Sequence, residues 1–206
     1  MERDELLERF RRGESLAGLD LSWIDLSGED LRGIDLSGCT LTGARFIGSR
    51  LDGGNLEEAF LAEARMEGAS LRGIRGSRIF FQRSQLQDVN LEGSDLKEAR
   101  FHTSTCVRAV FQGAALQGAV FIDSILPEAD FRKTDLTGSN FRGADLSRAR
   151  FNEAVLVDAD LRKVRTEGAD FTGVDPRGAL FYGKPPWGGK SLDRDWAKEL
   201  PYFQED

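Results

Sequence analysis

The sequence predicts an all-β solenoid, a chain wound into a long coil instead of folded around one central core. Three observations carry that expectation. Written in fives from Leu16, the chain keeps one register without an insertion to the unit that starts at Phe181, which makes 34 consecutive pentapeptides. The first position of each unit is apolar almost throughout, with 19 Leu, 10 Phe, Met66 and Cys106; only Gly76, Thr166 and Pro176 depart. The third position is Gly in 18 units and the fourth is Ala in 15.

A period of five fits neither the 3.6 of a helix nor the 2.0 of a strand, so something resets the chain every five residues. A short extended segment followed by a turn does this, and Gly supplies the turn at low steric cost. Two inward side chains per unit, one large and one small, describe a narrow core. Leu or Phe fills its centre, while Ala or Ser lets the backbone approach closely at each corner. The fifth position is often Asp or Asn, as at Asp20, Asp25, Asp30 and Asp35. Such side chains bond neighbouring backbone at turns. Gly76 leaves space at a core centre, which Ile74 and Ile79 fill from the corners or a local bend closes.

The units ADFRK, TDLTG, SNFRG and ADLSR, residues 129–148, fit the motif A-[DN]-L-x-x. They resemble the pentapeptide-repeat family, and the resemblance spans residues 16–183. It implies a right-handed quadrilateral parallel β-helix with four sides and 20 residues per coil, a number the period alone does not give. Coils stacked about 4.8 Å apart would make a rod roughly 40 Å long.

An open β-helix exposes unpaired strand edges at its ends, so the ends need cover. Residues 1–15 read as an N-terminal capping helix, with Leu6, Leu7 and Phe10 at helical spacing among charges. Residues 16–183 are the repeat, and 184–206 a C-terminal cap or tail. There KPPWGGK reads as a linker or turn, and Ser191 N-caps a helix whose Leu192, Trp196 and Leu200 lie one turn apart. That segment is either a folded cap or a partner-binding or dimerising tail.

Composition narrows the function. The chain has 206 residues, 31% of them charged, and a net charge of −7. An acidic balance argues against direct nucleic-acid binding, which needs clustered Lys and Arg. No run approaches the roughly 18 apolar residues of a membrane helix. The opening MERDELLERF lacks the apolar run of a signal peptide, so a cytoplasmic protein is expected. Cys39 and Cys106 occupy inward positions about three coils apart, too far for a disulfide. His102, the one histidine, sits at an outward position without the pocket a general base needs. No enzyme activity, cofactor or metal is expected.

Residues 20 apart should stack on one face, with the second, third and fifth positions outward. The face centred on Leu16, Leu36 and Leu56 carries Asp35, Glu57, Glu58, Asp95, Glu98, Asp135, Asp158 and Asp175 against Arg75, Arg78, Lys97 and Arg177, a net −4. The other three faces come to +1, −1 and 0. The next face holds apolar residues where polar ones are expected: Phe60 and Phe80, then Arg100, Val120 with Ile122, and Leu180 with Tyr182. Trp23 lies there too. Apolar surface with aromatics and an Arg marks a protein-binding site, for a protein partner or a second copy; the alternative is an aromatic ladder that stiffens the coil or is covered by a terminal segment.

Two functions follow. The first is a scaffold or regulatory protein that presents docking faces on a rigid rod. The second, implied by the resemblance, is mimicry of DNA: acidic members of the family occupy topoisomerases such as DNA gyrase and protect them from quinolone-type inhibitors. The modest net charge, the bases on the acidic face, the absence of an interrupting loop and the polar C-terminal segment favour the first.

Overall fold

Each five-residue unit closes on itself through a turn. In nearly every unit the fourth N–H donates to the first C=O, as in Ala44 to Leu41 at 3.0 Å and Ala114 to Phe111 at 2.9 Å. Backbone φ is positive at the third position and not at the second, the pattern of a type II turn. This holds at every third position from Gly18 to Gly183, and 16 of these residues are not glycine. They include Trp23 at φ 65° and the β-branched Thr103 at φ 53°.

The computed structural model describes residues 1–188, and the proposed helix beginning at Ser191 lies outside them. A turn every five residues bends the chain four times per coil. Each fifth-position residue from Asp20 to Asp160 forms a parallel bridge to the residue 20 places on. The ladder runs, for example, Thr40, Phe60, Phe80, Arg100, Val120. Two backbone bonds per unit flank each bridge: Phe81 N–H reaches Arg100 O at 2.7 Å, and Arg100 N–H reaches Ile79 O at 2.9 Å. Between Asp20 and Leu180 the stack spans eight coil spacings, about 38 Å.

First- and fourth-position side chains form one continuous buried core from Leu16 to Ala179. Its middle is aromatic. Phe101, Phe121 and Phe141 stack at 4.6 and 4.7 Å, and Phe111, Phe131, Phe151 and Phe171 stack at 4.7–4.9 Å. The two columns stand on opposite sides of the coil and meet edge to face, as Phe111 meets Phe121 at 5.7 Å. Both offset and edge-on contacts suit the aromatic quadrupole. Buried fourth-position hydroxyls turn to main-chain carbonyls: Ser84 bonds Leu61 O at 2.6 Å and Thr134 bonds Phe111 O at 3.0 Å. Where Gly76 leaves a centre empty, Leu96 and Ile74 fill it; a Cβ there would lie 3.1 and 3.3 Å from their methyl carbons.

Helix α1, Arg3–Arg11, carries Asp4 and Glu5 in its first turn and Arg9 and Arg11 in its last, which suits the helix dipole. Leu6 and Leu7 are buried in the core, and Arg3 pairs with Glu29 on the first coil. At the other end, within the segment read from the sequence as a linker or turn, Gly188 N–H bonds Pro185 O at 3.1 Å and closes a turn, and Trp187 adds a packing role that reading did not include. Trp187 sits edge-on to Phe171 at 5.8 Å and to Phe181 at 5.5 Å, covering core residues that have no further coil above them.

Candidate functional site

The face that carries Phe60 is built by the bridge ladder. Phe60 and Phe80 bridge one another, and their rings lie 5.1 Å apart, tilted by 33°. The next rung places Arg100 Cζ 4.8 Å from the centre of the Phe80 ring. Val120 follows on the ladder, with Ile122 beside it on the same coil. Phe60 is 39% exposed; Phe80, Val120 and Ile122 are half-buried. Five residues of the apolar face therefore form one contiguous strip over four coils.

The remaining three lie apart from it. Asn140 and Asp160 occupy the next two rungs, so Leu180 and Tyr182 form a separate patch at the C-terminal end. Tyr182 is 57% exposed. Trp23 is at the opposite end, 69% exposed, with its indole packed against Gly43 one coil above. Any Cβ at position 43 would strike that ring, so Gly43 is needed for the close approach as well as for its φ of 65°.

On the acidic face, Asp35, Asp95, Asp135 and Asp175 share one ladder with Arg75. Three of its eight acids are ion-paired: Glu58 with Arg78 at 2.5 Å, Asp95 with Lys97 at 3.3 Å and Asp175 with Arg177 at 2.7 Å. Asp135 accepts bonds from Gln117 at 2.6 Å and from Thr137. Asp35, Glu57, Glu98 and Asp158 have no ion-pair partner among the described residues.

The turn aspartates do what their position suggests. Asp20, Asp25, Asp30 and Asp35 each accept a bond from the backbone N–H two residues on, at 3.0–3.5 Å. Bonds from the Ser22 side chain and backbone hold Asp20 below the usual carboxylate range, and the Ser27 backbone N–H and Arg45 hold Asp25 there. Asp170, bonded by Thr172 and Asn152, falls to about 2. These carboxylates are occupied as turn staples. Burial pushes the Cys106 thiol up to about 12 and also raises Cys39, so both remain thiols. His102 is half-buried, and burial together with Arg100 lowers its pKa. Among the described residues no group of His, Cys, Asp and Glu could hold a metal, and no helix is long and apolar enough to cross a membrane.

Two features escaped the sequence reading. Ile125, 47% exposed, stands beside Pro127 with Val107 one coil below, an apolar cluster on the face next to the Phe60 strip. Its signal is a gap in charge: between Arg108 and Glu128 the only charged residue is Asp123. The second feature is a set of ion pairs between third-position residues one coil apart, described below.

The repeat that builds these faces is matched by two family models: the pentapeptide repeat region over residues 79–161, and the eight-copy pentapeptide repeats over 20–57. The chain belongs to the pentapeptide-repeat family. Among solved members, QnrB1, a plasmid-mediated fluoroquinolone resistance protein, is 18% identical with a TM-score of 0.51, covering 80% of this chain and 92% of its own. HetL, involved in heterocyst differentiation regulation in the cyanobacterium Nostoc sp. strain PCC 7120, is 23% identical with a TM-score of 0.38, covering 88% of this chain and 97% of its own. At these identities the likeness to QnrB1 bears on fold alone, the family's right-handed β-helix. No curated protein matches the chain.

Proposed function

We propose that this pentapeptide-repeat chain is a non-enzymatic docking rod, a scaffold or regulatory protein that binds a protein partner through the Phe60 face. The observation that carries this reading is the contiguous strip of Phe60, Phe80, Arg100 and Val120, with Ile122 beside it, on a ladder position that the repeat fills mostly with polar residues. Aromatic residues and Arg are the types enriched at interface centres, and a rigid ladder presents them with little entropy left to lose. Helix α1 and Trp187 cover the two ends of the coil and keep them from stacking on other chains.

The test replaces Phe60 and Phe80 by Ser and measures oligomeric state and partner capture. Both positions face outward, so the fold should survive, which circular dichroism checks. Loss of either association supports docking; no change in both removes it.

The acidic face favours a second reading, mimicry of duplex DNA. Its spacing argues for a lower rank. Duplex DNA carries one charge per about 1.7 Å, whereas a net −4 over a rod of about 38 Å gives one per roughly 10 Å. A supercoiling assay with DNA gyrase, with and without a quinolone, decides: neither inhibition nor protection at micromolar protein ends this reading.

A further inference from the structure

The Phe60 face is complementary to itself. Its fifth-position ladder reads Asp20, Thr40, Phe60, Phe80, Arg100, Val120, Asn140, Asp160, with Leu180 beyond the span that pairs. Taken about a midpoint between Phe80 and Arg100, apolar residues fall opposite apolar and polar opposite polar, save that Phe80 falls opposite Arg100, a cation over a ring. Phe60 falls opposite Val120, and Thr40 opposite Asn140. The parallel second-position column has the same midpoint: Ala62 falls opposite Ile122, Gln82 opposite His102 and Thr42 opposite Arg142. On the corner column the match sets Trp23 against Lys163.

From this pattern we infer that the partner of the Phe60 face is a second copy of this chain, packed antiparallel, face to face, about a two-fold axis midway between Phe80 and Arg100. The inference rests on the docking reading above and names its occupant. A two-fold axis in the interface, perpendicular to the rod, keeps each column facing itself and reverses its direction, which is the operation the pattern obeys. Each Arg100 already stands over its own Phe80 at 4.8 Å and would lie opposite the other copy's Phe80 as well. Arg guanidinium on an aromatic face strengthens as water is excluded. Val120 and Ile122 of one copy cover Phe60 and Ala62 of the other.

Two other arrangements match less well. A parallel pair about an axis along the rod would set Phe80 on Gln82 and Arg100 on His102. Moving the antiparallel midpoint onto Arg100 would set that residue against itself. The chosen register has two like-charge appositions. Asp20 opposite Asp160 is eased by Ser22 at 2.6 Å and Arg162 at 2.6 Å. Glu63 opposite Asp123 lies on the corner column, where Arg83 stands 3.8 Å from Glu63.

The experiment uses full-length chains. Thr40→Cys and Asn140→Cys variants are purified separately, then mixed and treated with a bis-maleimide that spans about the 10 Å between packed sheets. Native Cys39 and Cys106 are fully buried and give no background. The expected product is a cross-link between the two variants and none within either variant alone, with a mass by light scattering of twice 22.8 kDa for the untreated chain. Arg100→Glu should raise the dimer dissociation constant about tenfold or more, because the axis doubles the loss of each Phe80 contact. A single-chain mass at all concentrations, or cross-links joining like variants, overturns the inference. If the chain is monomeric yet Phe60→Ser and Phe80→Ser abolish capture of another protein, self-pairing fails and the docking reading stands. If those substitutions change neither, both fail.

Discussion

Arg78 stands one coil above Glu58 and bonds its carboxylate at 2.5 Å, both residues holding left-handed backbones at φ 58° and 56°. The same stacking joins Arg108 to Asp88 at 2.6 Å and Arg148 to Glu128 at 3.7 Å. Along that second column the charges alternate, Asp88, Arg108, Glu128, Arg148, so each coil is matched to its neighbours. Their side chains are about half exposed or more, so solvent screening keeps each pair weak. Glu58→Arg should lower the urea midpoint, and adding Arg78→Glu should restore most of it. A double variant no more stable than the summed single effects would show that the pair contributes nothing.

A left-handed backbone costs a non-glycine residue about 1–2 kcal/mol. Thr103, β-branched at φ 53°, makes only a bond to its neighbour's carbonyl in return. Thr103→Gly should therefore stabilise the chain by about 1 kcal/mol. Gly113→Ala is the converse, since φ is 68° and nothing lies within 4 Å of a Cβ there. It should destabilise by a similar amount through backbone strain alone. Equal stability of all three proteins in urea would refute this account.

The core offers two opposite perturbations. Phe121 stacks on Phe101 and Phe141 and touches Phe111 and Phe131 edge-on. Phe121→Ala should cost about 3–5 kcal/mol. At Gly76 the space is already taken by Leu96 and Ile74, so Gly76→Leu overpacks the coil and should cost about 1–3 kcal/mol. Chemical unfolding measures both; a higher melting temperature for Gly76→Leu would refute the packing account.

Much of this was legible in the sequence because a repeat makes every position a replicate. The inward role of the first position could be read from Phe121, Leu126 and Phe131 alike, and the turn bonds from Asp20 through Asp35. The coil of 20 came from resemblance, since a period of five is silent about how many sides close. Strain was hidden because Thr103 and Lys133 look like ordinary surface residues; only their sharing a register position with Gly113 and Gly138 hints at a positive φ. Trp187 lies past the repeat, where no replicate reports its role. The Ile125 cluster was missed because faces ranked by net charge overlook a place where charge is absent.

Acid should weaken the rod, and the direction follows from its aspartates. Asp88 is held below its ordinary value by Arg108, and Asp175 by Arg177. At Asp130 burial acts upward but is outweighed by Arg132 and Arg150, which lie 2.7 and 3.0 Å from its carboxylate. Asp170 reaches about 2. A carboxyl with a lower pKa folded than unfolded binds fewer protons in the folded chain. Its stabilisation is complete above the unfolded value near pH 4 and is lost as pH falls through the folded value. The melting temperature should thus be flat from pH 7 to about 5 and drop between about pH 4 and 2. Asp130 has only 3% of its side chain exposed, so it should carry a visible share. Asp130→Asn can still accept the Arg132 N–H but cannot titrate; it should be less stable at pH 7 and lose less on acidification. A variant whose acid drop equals that of the parent chain would show that Asp130 is not among the groups responsible.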